Sequence, residues 1–251
     1  MSALIWAPEI HRHKDLWVIY FAAAPSREIK DDLFQHRMYA MCCADADPLT
    51  GRWSAPVQVI TGMETFSLDA TSFSHKGKIY YLWAQKDPAI RGNSNLYIAQ
   101  MLTPSTLKSR PALLSKPEFD WETRGFWVNE GPAVILRHGK FFLTYSASAT
   151  DENYCMGMLY ADENADLLNP ASWTKSEKPV FSSCFERGVY GPGHSSFTIS
   201  EDGSKDLLVY HARTYTEIVG DPLWDPNRHT FVKAIKWKDG MPEFGCPSCE
   251  E

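Results

Sequence analysis

Four polar residues stand at the heads of short apolar stretches: Glu9, Asp69, Glu130 and His194. Glu130 is the most suggestive, because Gly131 and Pro132 follow it at once and bend the backbone beside the charge. A rigid strand meeting an open loop is a common place to hold a reactive group. Taken alone, a Glu in such a setting reads as an ordinary acidic loop residue. Two carboxylates facing each other across a cleft are a different matter, being what glycoside hydrolysis needs. One protonates the leaving oxygen and the other activates water or attacks the sugar carbon. Rings near these acids in sequence, Trp6, Phe66, Trp83, Trp127 and Tyr190, would suit a sugar face, although a place in the core is the default for most aromatics. Arg213 and Arg228 could contact hydroxyls or hold a carboxylate charged. His194 and His211 could hydrogen-bond a sugar or ligate a metal or water, against the simpler reading of each as a structural histidine.

These residues need elements to position them, and the chain supplies short strands separated by turn signals. Apolar runs lie at 17–22, 38–44, 79–84, 96–101, 141–146, 155–160, 207–212 and 231–237, with no convincing amphipathic helix of a dozen residues. The polar heads recur with a period. Glu9 to Asp69 is 60 residues, Asp69 to Glu130 is 61, and Glu130 to His194 is 64. Each segment then runs from polar head to short strand, a charged or glycine turn at 75–78, 137–140 or 201–204, and an aromatic strand. Four strands repeated at a fixed period are the mark of a β-propeller, with segments of roughly 4–64, 65–125, 126–188 and 189–245 forming a single domain. The fold class expected is therefore all-β. In a propeller the heads of equivalent strands meet around the central axis, so the four polar residues are expected to converge.

Composition narrows the function. The chain has 251 residues, 44% hydrophobic and 13% aromatic, enough for a large all-β core. The net charge of -6 comes with no basic block to track a phosphate backbone, which argues against nucleic acid as a partner. No stretch is apolar enough to span a membrane. The first residues show no basic region and no apolar core, so they do not read as a signal peptide, and a genuine start would imply a cytoplasmic protein. Cysteines at 42, 43, 155, 184, 246 and 249 match no disulfide framework. Cys246-Pro-Ser-Cys249 has the spacing of zinc and redox motifs but lacks a second pair, so free thiols in a reducing compartment are the expectation.

Six motifs together carry a family resemblance. Trp-Ala-Pro-Glu at 6–9, Ser-Leu-Asp-Ala-Thr-Ser-Phe at 67–73, Val-Asn-Glu-Gly-Pro at 128–132, Gly-Pro-Gly-His-Ser-Ser-Phe at 191–197, Tyr-His-Ala-Arg-Thr-Tyr at 210–215 and Gly-Asp-Pro-Leu-Trp-Asp-Pro-Asn-Arg-His-Thr at 220–230 resemble glycoside hydrolase family 43. The last two resemble its α-L-arabinofuranosidase-like branch most. The resemblance implies a five-bladed propeller, inversion at the anomeric carbon, Glu130 as general acid and Asp69 as the acid that tunes it and orients the sugar. A like charge nearby would keep a general acid protonated, which is a sound physical role for Asp69. His194 matches a channel histidine that in some members helps hold a calcium ion or water; no cofactor is required.

The pattern departs from the family at one point. The family's general base is an Asp in an Asp-Pro motif of the first blade, and no such blade precedes Trp6. Asp47, Asp87, Asp221 and Asp225 each precede a proline but lie in turns or the late loop, and Glu9 sits in a second-blade motif that is not the base. The expectation is thus family blades two to five with the first blade absent. Loss of a positioned base would slow turnover by roughly 10²–10⁴. Self-association through the open gap would follow from exposed strand edges. The expected activity is release of terminal α-L-arabinofuranosyl residues from arabinan or arabinoxylan, with plant cell-wall oligosaccharides as partners. The alternatives are a β-xylosidase or a carbohydrate-binding propeller without turnover. A protein-interaction propeller would not need acids at successive blade heads.

Overall fold

The computed structural model describes residues 3–248. The chain forms two compact units, Met1–Lys116 and Pro117–Glu251. Both are built from antiparallel sheets, and the only helical segments among the described residues are four single turns of 3-10 helix. Among the described residues no helix is long and apolar enough to cross a membrane.

The first unit holds β1 (Ala3–His13), β2 (Leu16–Ala24), a small ribbon of β3 (Ile29–Lys30) and β4 (Leu33–Phe34), then β5 (Arg37–Cys43) and β6 (Val57–Gln58). The first sheet runs β1-β2-β5-β6. The second is made from β7 (Ser67–His75), β8 (Lys78–Gln85), β9 (Asn95–Thr103), β10 (Thr106–Leu107) and β11 (Ala112–Ser115), in the order β7-β8-β9-β10 with β11 also on β9. Strand β8 reads Lys-Ile-Tyr-Tyr-Leu-Trp-Ala-Gln, and its last six residues are all buried. A strand covered on both faces needs such a continuous apolar run rather than alternation. Tyr81, Trp83 and Tyr97 stack in series at 5.2 and 5.7 Å between ring centroids.

The second unit begins with β12 (Asn129–Arg137), β13 (Lys140–Ala147), β14 (Cys155–Asp162) and β15 (Thr174–Lys175), which pair in that order. Then come β16 (Tyr190–Ile199), β17 (Asp206–Arg213) and β18 (His229–Ala234), followed by a separate ribbon of β19 (Lys236–Lys238) and β20 (Met241–Glu243). Phe142, Met156, Phe181, Val189, Leu208 and Ala212 are among the buried residues that join its sheets into one core. The four large sheets are propeller blades, two in each unit, in agreement with the all-β expectation. Residues 117–125 fall within the second unit, although the repeat assigned them to the segment ending at 125. The physical reason is Glu122, which is fully buried there and bonded to Asn129, Tyr145 and Lys175.

Two of the turn signals are tight hairpins. Lys76-Gly77 and His138-Gly139 both have positive φ at each of the two turn residues, as does Asp239-Gly240. That geometry matches the right-handed twist of the flanking strands, and glycine at the second position adopts it without steric cost. Gly203, in the third signal, also has positive φ but sits in a longer loop between β16 and β17.

Candidate active site

The first strand of every blade carries the same irregularity. Where β1, β7, β12 and β16 pair with the next strand, three steps along the first strand match two along its partner: Trp6 to Glu9 against Ala22 to Tyr20, Leu68 to Thr71 against Ala84 to Leu82, Glu130 to Ala133 against Ser146 to Thr144, and Gly193 to Ser196 against His211 to Val209. Each is a β-bulge, and such bulges re-aim side chains beside functional sites. Inside each bulge one residue has positive φ: Ala7 at 42°, Asp69 at 52°, Gly131 at 54° and His194 at 46°. These positions are spaced by 62, 62 and 63 residues, counting 7 to 69, 69 to 131 and 131 to 194.

The bulges correct the repeat as read from polar heads. Asp69 and His194 hold the equivalent, left-handed position, Glu130 lies one residue before it, and Glu9 lies two residues after it. The four residues are therefore not four copies of one position. The left-handed conformation costs an L-residue roughly 1–2 kcal/mol. Asp69 and His194 bear that strain on polar side chains, an arrangement that clusters at functional sites.

In the second unit, Glu130 is half-buried at the start of β12, and Tyr154 donates its hydroxyl to Glu130 Oε1 at 2.7 Å. A Cβ on Gly131 would stand 3.2 Å from His194 Cγ, so the turn after the acid lies against the imidazole. The His194 backbone N–H donates to Ser146 Oγ at 2.7 Å, tying β16 to β13. The Tyr154 ring is 1% exposed and lies 5.5 Å from the His211 ring at 9° between planes. His211 is 6.5 Å from His194, centroid to centroid, and both its ring nitrogens are buried without a hydrogen-bond partner. Burial, then the charges of Arg228, His194 and Arg213, push its pKa down to about 2. His211 is thus a neutral imidazole at any working pH.

Arg213 is 2% exposed and serves the chain rather than an open cleft. It donates to the carbonyls of Thr150 and Pro222 and pairs with Asp225 at 3.5 Å. Arg228 is half-buried in the loop before β18, and Trp127 is half-buried just before β12. Tyr190 begins β16 and meets the exposed ring of Phe185 edge-on at 5.2 Å.

In the first unit, Asp69 is 6% exposed within β7. Trp6 stacks on the buried imidazole of His36 at 4.0 Å, with Phe34 and Phe66 edge-on to the same His36. Glu9 Oε2 lies 3.0 Å from His11 Nε2. Trp83 corrects the expectation of a sugar platform. It is 0% exposed, with its indole N–H bonded to Gln85 at 2.7 Å, so it has no face to offer a ligand. The Asp-Pro acids are all committed to local structure. Asp47, Asp87 and Asp221 accept backbone N–H groups two residues on, and Asp225 accepts from Asn227 N and the Tyr215 hydroxyl, which hold its carboxyl below the usual range.

For a metal, no group of three or more His, Cys, Asp or Glu among the described residues could hold an ion. Calcium takes six to eight oxygen ligands, and the neighbours of His194 named above supply no carboxylate set of that kind. Cys249 lies outside the described residues. Cys246 is exposed, and its thiol is raised in pKa chiefly by a hydrogen bond with Cys184.

Two contributors to this site went unread in the sequence. Tyr154 lies 24 residues after the acid it touches, and its only sequence signal is its place just ahead of β14. Glu122 is 0% exposed, and its carboxylate accepts from Asn129 Nδ2 at 3.0 Å, Tyr145 at 2.8 Å and the backbone N–H groups of Glu118 and Phe119, with Lys175 Nζ at 2.9 Å. It anchors the residue immediately before Glu130.

A carboxylic acid held at a strand bulge of a propeller blade is a rigid mount on which acid-assisted chemistry can be built. The family model described as glycosyl hydrolases family 43 matches residues 1–242, and the chain belongs to that family. It is 53% identical over 248 residues to an extracellular exo-α-(1→5)-L-arabinofuranosidase of Streptomyces avermitilis, a match covering 98% of this chain and 51% of that one. It is 50% identical over 222 residues to an enzyme of the same name from Streptomyces chartreusis, covering 88% of this chain and 66% of that one. The chain thus spans from about half to about two thirds of the length of these relatives. Among solved structures, the α-L-arabinofuranosidase from Lactobacillus brevis matches with a TM-score of 0.96 at 59% identity, over 98% of this chain and 77% of the other. The expected cytoplasmic location is overturned by these findings, since the two Streptomyces relatives are named extracellular.

Proposed function

We propose that the protein is an inverting, exo-acting α-L-arabinofuranosidase that releases terminal arabinofuranosyl residues from plant cell-wall oligosaccharides, with Glu130 as its general acid. The observation that carries this reading is the placement of Glu130. It stands at a bulged strand head, half-buried, with one carboxyl oxygen bonded to a buried tyrosine hydroxyl. Family membership and relatives named arabinofuranosidases support the substrate class.

In this mechanism the carboxylic acid of Glu130 protonates the glycosidic oxygen as the anomeric C–O bond breaks. Water adds from the opposite face and loses a proton to solvent, from which Glu130 is reprotonated, so the product is released with inverted configuration.

The test is hydrolysis of arabino-oligosaccharides and of nitrophenyl α-L-arabinofuranoside by the wild type and by Glu130→Gln, with the first-formed anomer followed by proton NMR. The expected result is inversion by the wild type. The expected loss in E130Q is roughly 10²–10⁴ on the oligosaccharide, with the melting temperature unchanged. Arabinose binding without turnover by a well-folded wild type would overturn it.

A further inference from the structure

The contact between Tyr154 and Glu130 is part of a larger arrangement. The Tyr154 ring is held on one side by the parallel imidazole of His211. On another side it fills the space where a side chain on residue 193 would be: a Cβ there would stand 2.3 Å from Tyr154 Cε1. The ring is 1% exposed, so its hydroxyl cannot swing into solvent. It meets Oε1 of Glu130 at 2.7 Å, the usual length for an O–H to carboxylate bond.

We propose that Tyr154 is the positioning residue of the acid: its hydroxyl occupies Oε1, so that the transferable proton is carried on Oε2, and it supports the carboxylate that remains after transfer. This rests on the reading of Glu130 as general acid. In the step itself, the proton leaves Oε2 for the glycosidic oxygen. The anomeric C–O bond breaks with its electron pair passing to that oxygen, and water, the co-substrate, adds at the anomeric carbon and gives up a proton to solvent. Tyr154 keeps its own proton throughout, and its donation to Oε1 strengthens as negative charge develops there. An O–H aimed at forming charge in a preorganised site is the physical basis of oxyanion stabilisation, used here on the catalyst rather than the substrate.

Other side chains stand around this contact. His194 lies against the turn that follows Glu130. His211, stacked on Tyr154, is neutral, and the charges of Arg228 and Arg213 are felt at it. Asn129, before Glu130 on the same strand, is tied to Glu122 and uncharged itself.

The experiment is a carbon-13 NMR titration of glutamate-labelled protein, with the Glu130 signal assigned from its loss in E130Q. In Tyr154→Phe the ring and its stacking remain but the donor is gone. Glu130 is expected to titrate about one pH unit higher than in the wild type, because a bond favouring the charged form has been removed. With 3-fluorotyrosine at position 154 the donor is nearly isosteric and more acidic, and Glu130 is expected to titrate lower. This second variant keeps the test alive if Y154F is poorly folded. An unchanged Glu130 titration in the folded variants would overturn the proposal. These readouts require no turnover, so failure of the glycosidase reading is seen separately, in the wild-type hydrolysis assay. Where turnover is measurable, Y154F should lose more rate on arabino-oligosaccharides, which leave as poor alkoxides, than on nitrophenyl arabinofuranoside, which needs little protonation. An equal loss on both would mark Tyr154 as merely structural.

Discussion

At the scale of single residues, the buried carboxylate of Glu122 sets the terms for the acid above it. It is fully buried, yet it is matched by a lysine, a tyrosine hydroxyl, an amide and two backbone N–H groups. A buried charge is tolerable only when satisfied in this way. Glu122→Ala would take the nearer carboxylate from Lys175, itself largely buried, and leave Glu118 at 3.4 Å. The expected loss is about 3–5 kcal/mol of unfolding free energy, read as a fall in the urea midpoint; a loss below ~1 kcal/mol would show that water or Glu118 takes over. Glu122 was invisible in the sequence because nothing in Asp120-Trp121-Glu122 announces burial; its partners lie 7, 23 and 53 residues away. Trp83 failed in the other direction. Its neighbours form a continuous apolar run, and that signature of a two-face-buried strand outweighs the fitness of an indole for sugars.

At the scale of elements, the strand heads are where sequence and structure nearly agree. The turns at 75–78 and 137–140, the strands and the four-part repeat were all legible from local chemistry, because glycine turns and apolar runs announce themselves. The register of the heads was off by one or two residues. A bulge inserts one residue, and only Gly131 among the four left-handed positions is a glycine, so composition does not mark where the insertion falls. Close packing around the bulges gives a direct test. A Cβ on Gly193 would stand 2.3 Å from the Tyr154 ring and 2.9 Å from Ser146 Oγ, whereas one on Gly203 would meet nothing within 4 Å and would suffer only from its φ of +72°. Gly193→Ala should therefore displace Tyr154, costing about 1–3 kcal/mol of stability from overpacking and lowering activity as well. Gly203→Ala should cost about 1–2 kcal/mol from backbone strain alone and leave activity intact. Thermal melts and arabinofuranoside hydrolysis of the two variants, side by side, decide it. Equal activity in both would mean that the Tyr154 ring is not held where its contacts suggest.

At the scale of the whole molecule, three histidines link folding to pH in the same direction. Burial lowers the pKa of His13, His36 and His211, with His11 also acting on His13 and the charges of Arg228, His194 and Arg213 on His211. In the unfolded chain each takes up a proton below about 6.5, while in the fold each stays neutral to lower pH. The unfolded state then binds more protons, so stability is full above that value and falls as pH drops through it. Urea midpoints should be flat from pH 7 to 8 and decline steadily from pH 6.5 towards 5, before carboxylates contribute. His211→Phe, which keeps a ring against Tyr154, should flatten that decline; an unchanged slope would exclude His211 as its source. The repeated bulge also bears on how such a chain acquires chemistry. Each blade carries the left-handed residue whether or not that residue bears a polar side chain. Ala7 keeps the conformation with a bare methyl group, Gly131 keeps it with no side chain and passes the polar role to its neighbour, and Asp69 and His194 fill it with reactive groups. One recurrent kink thus displays a different side chain in each blade, and novelty at such a position calls for a codon change rather than a new fold.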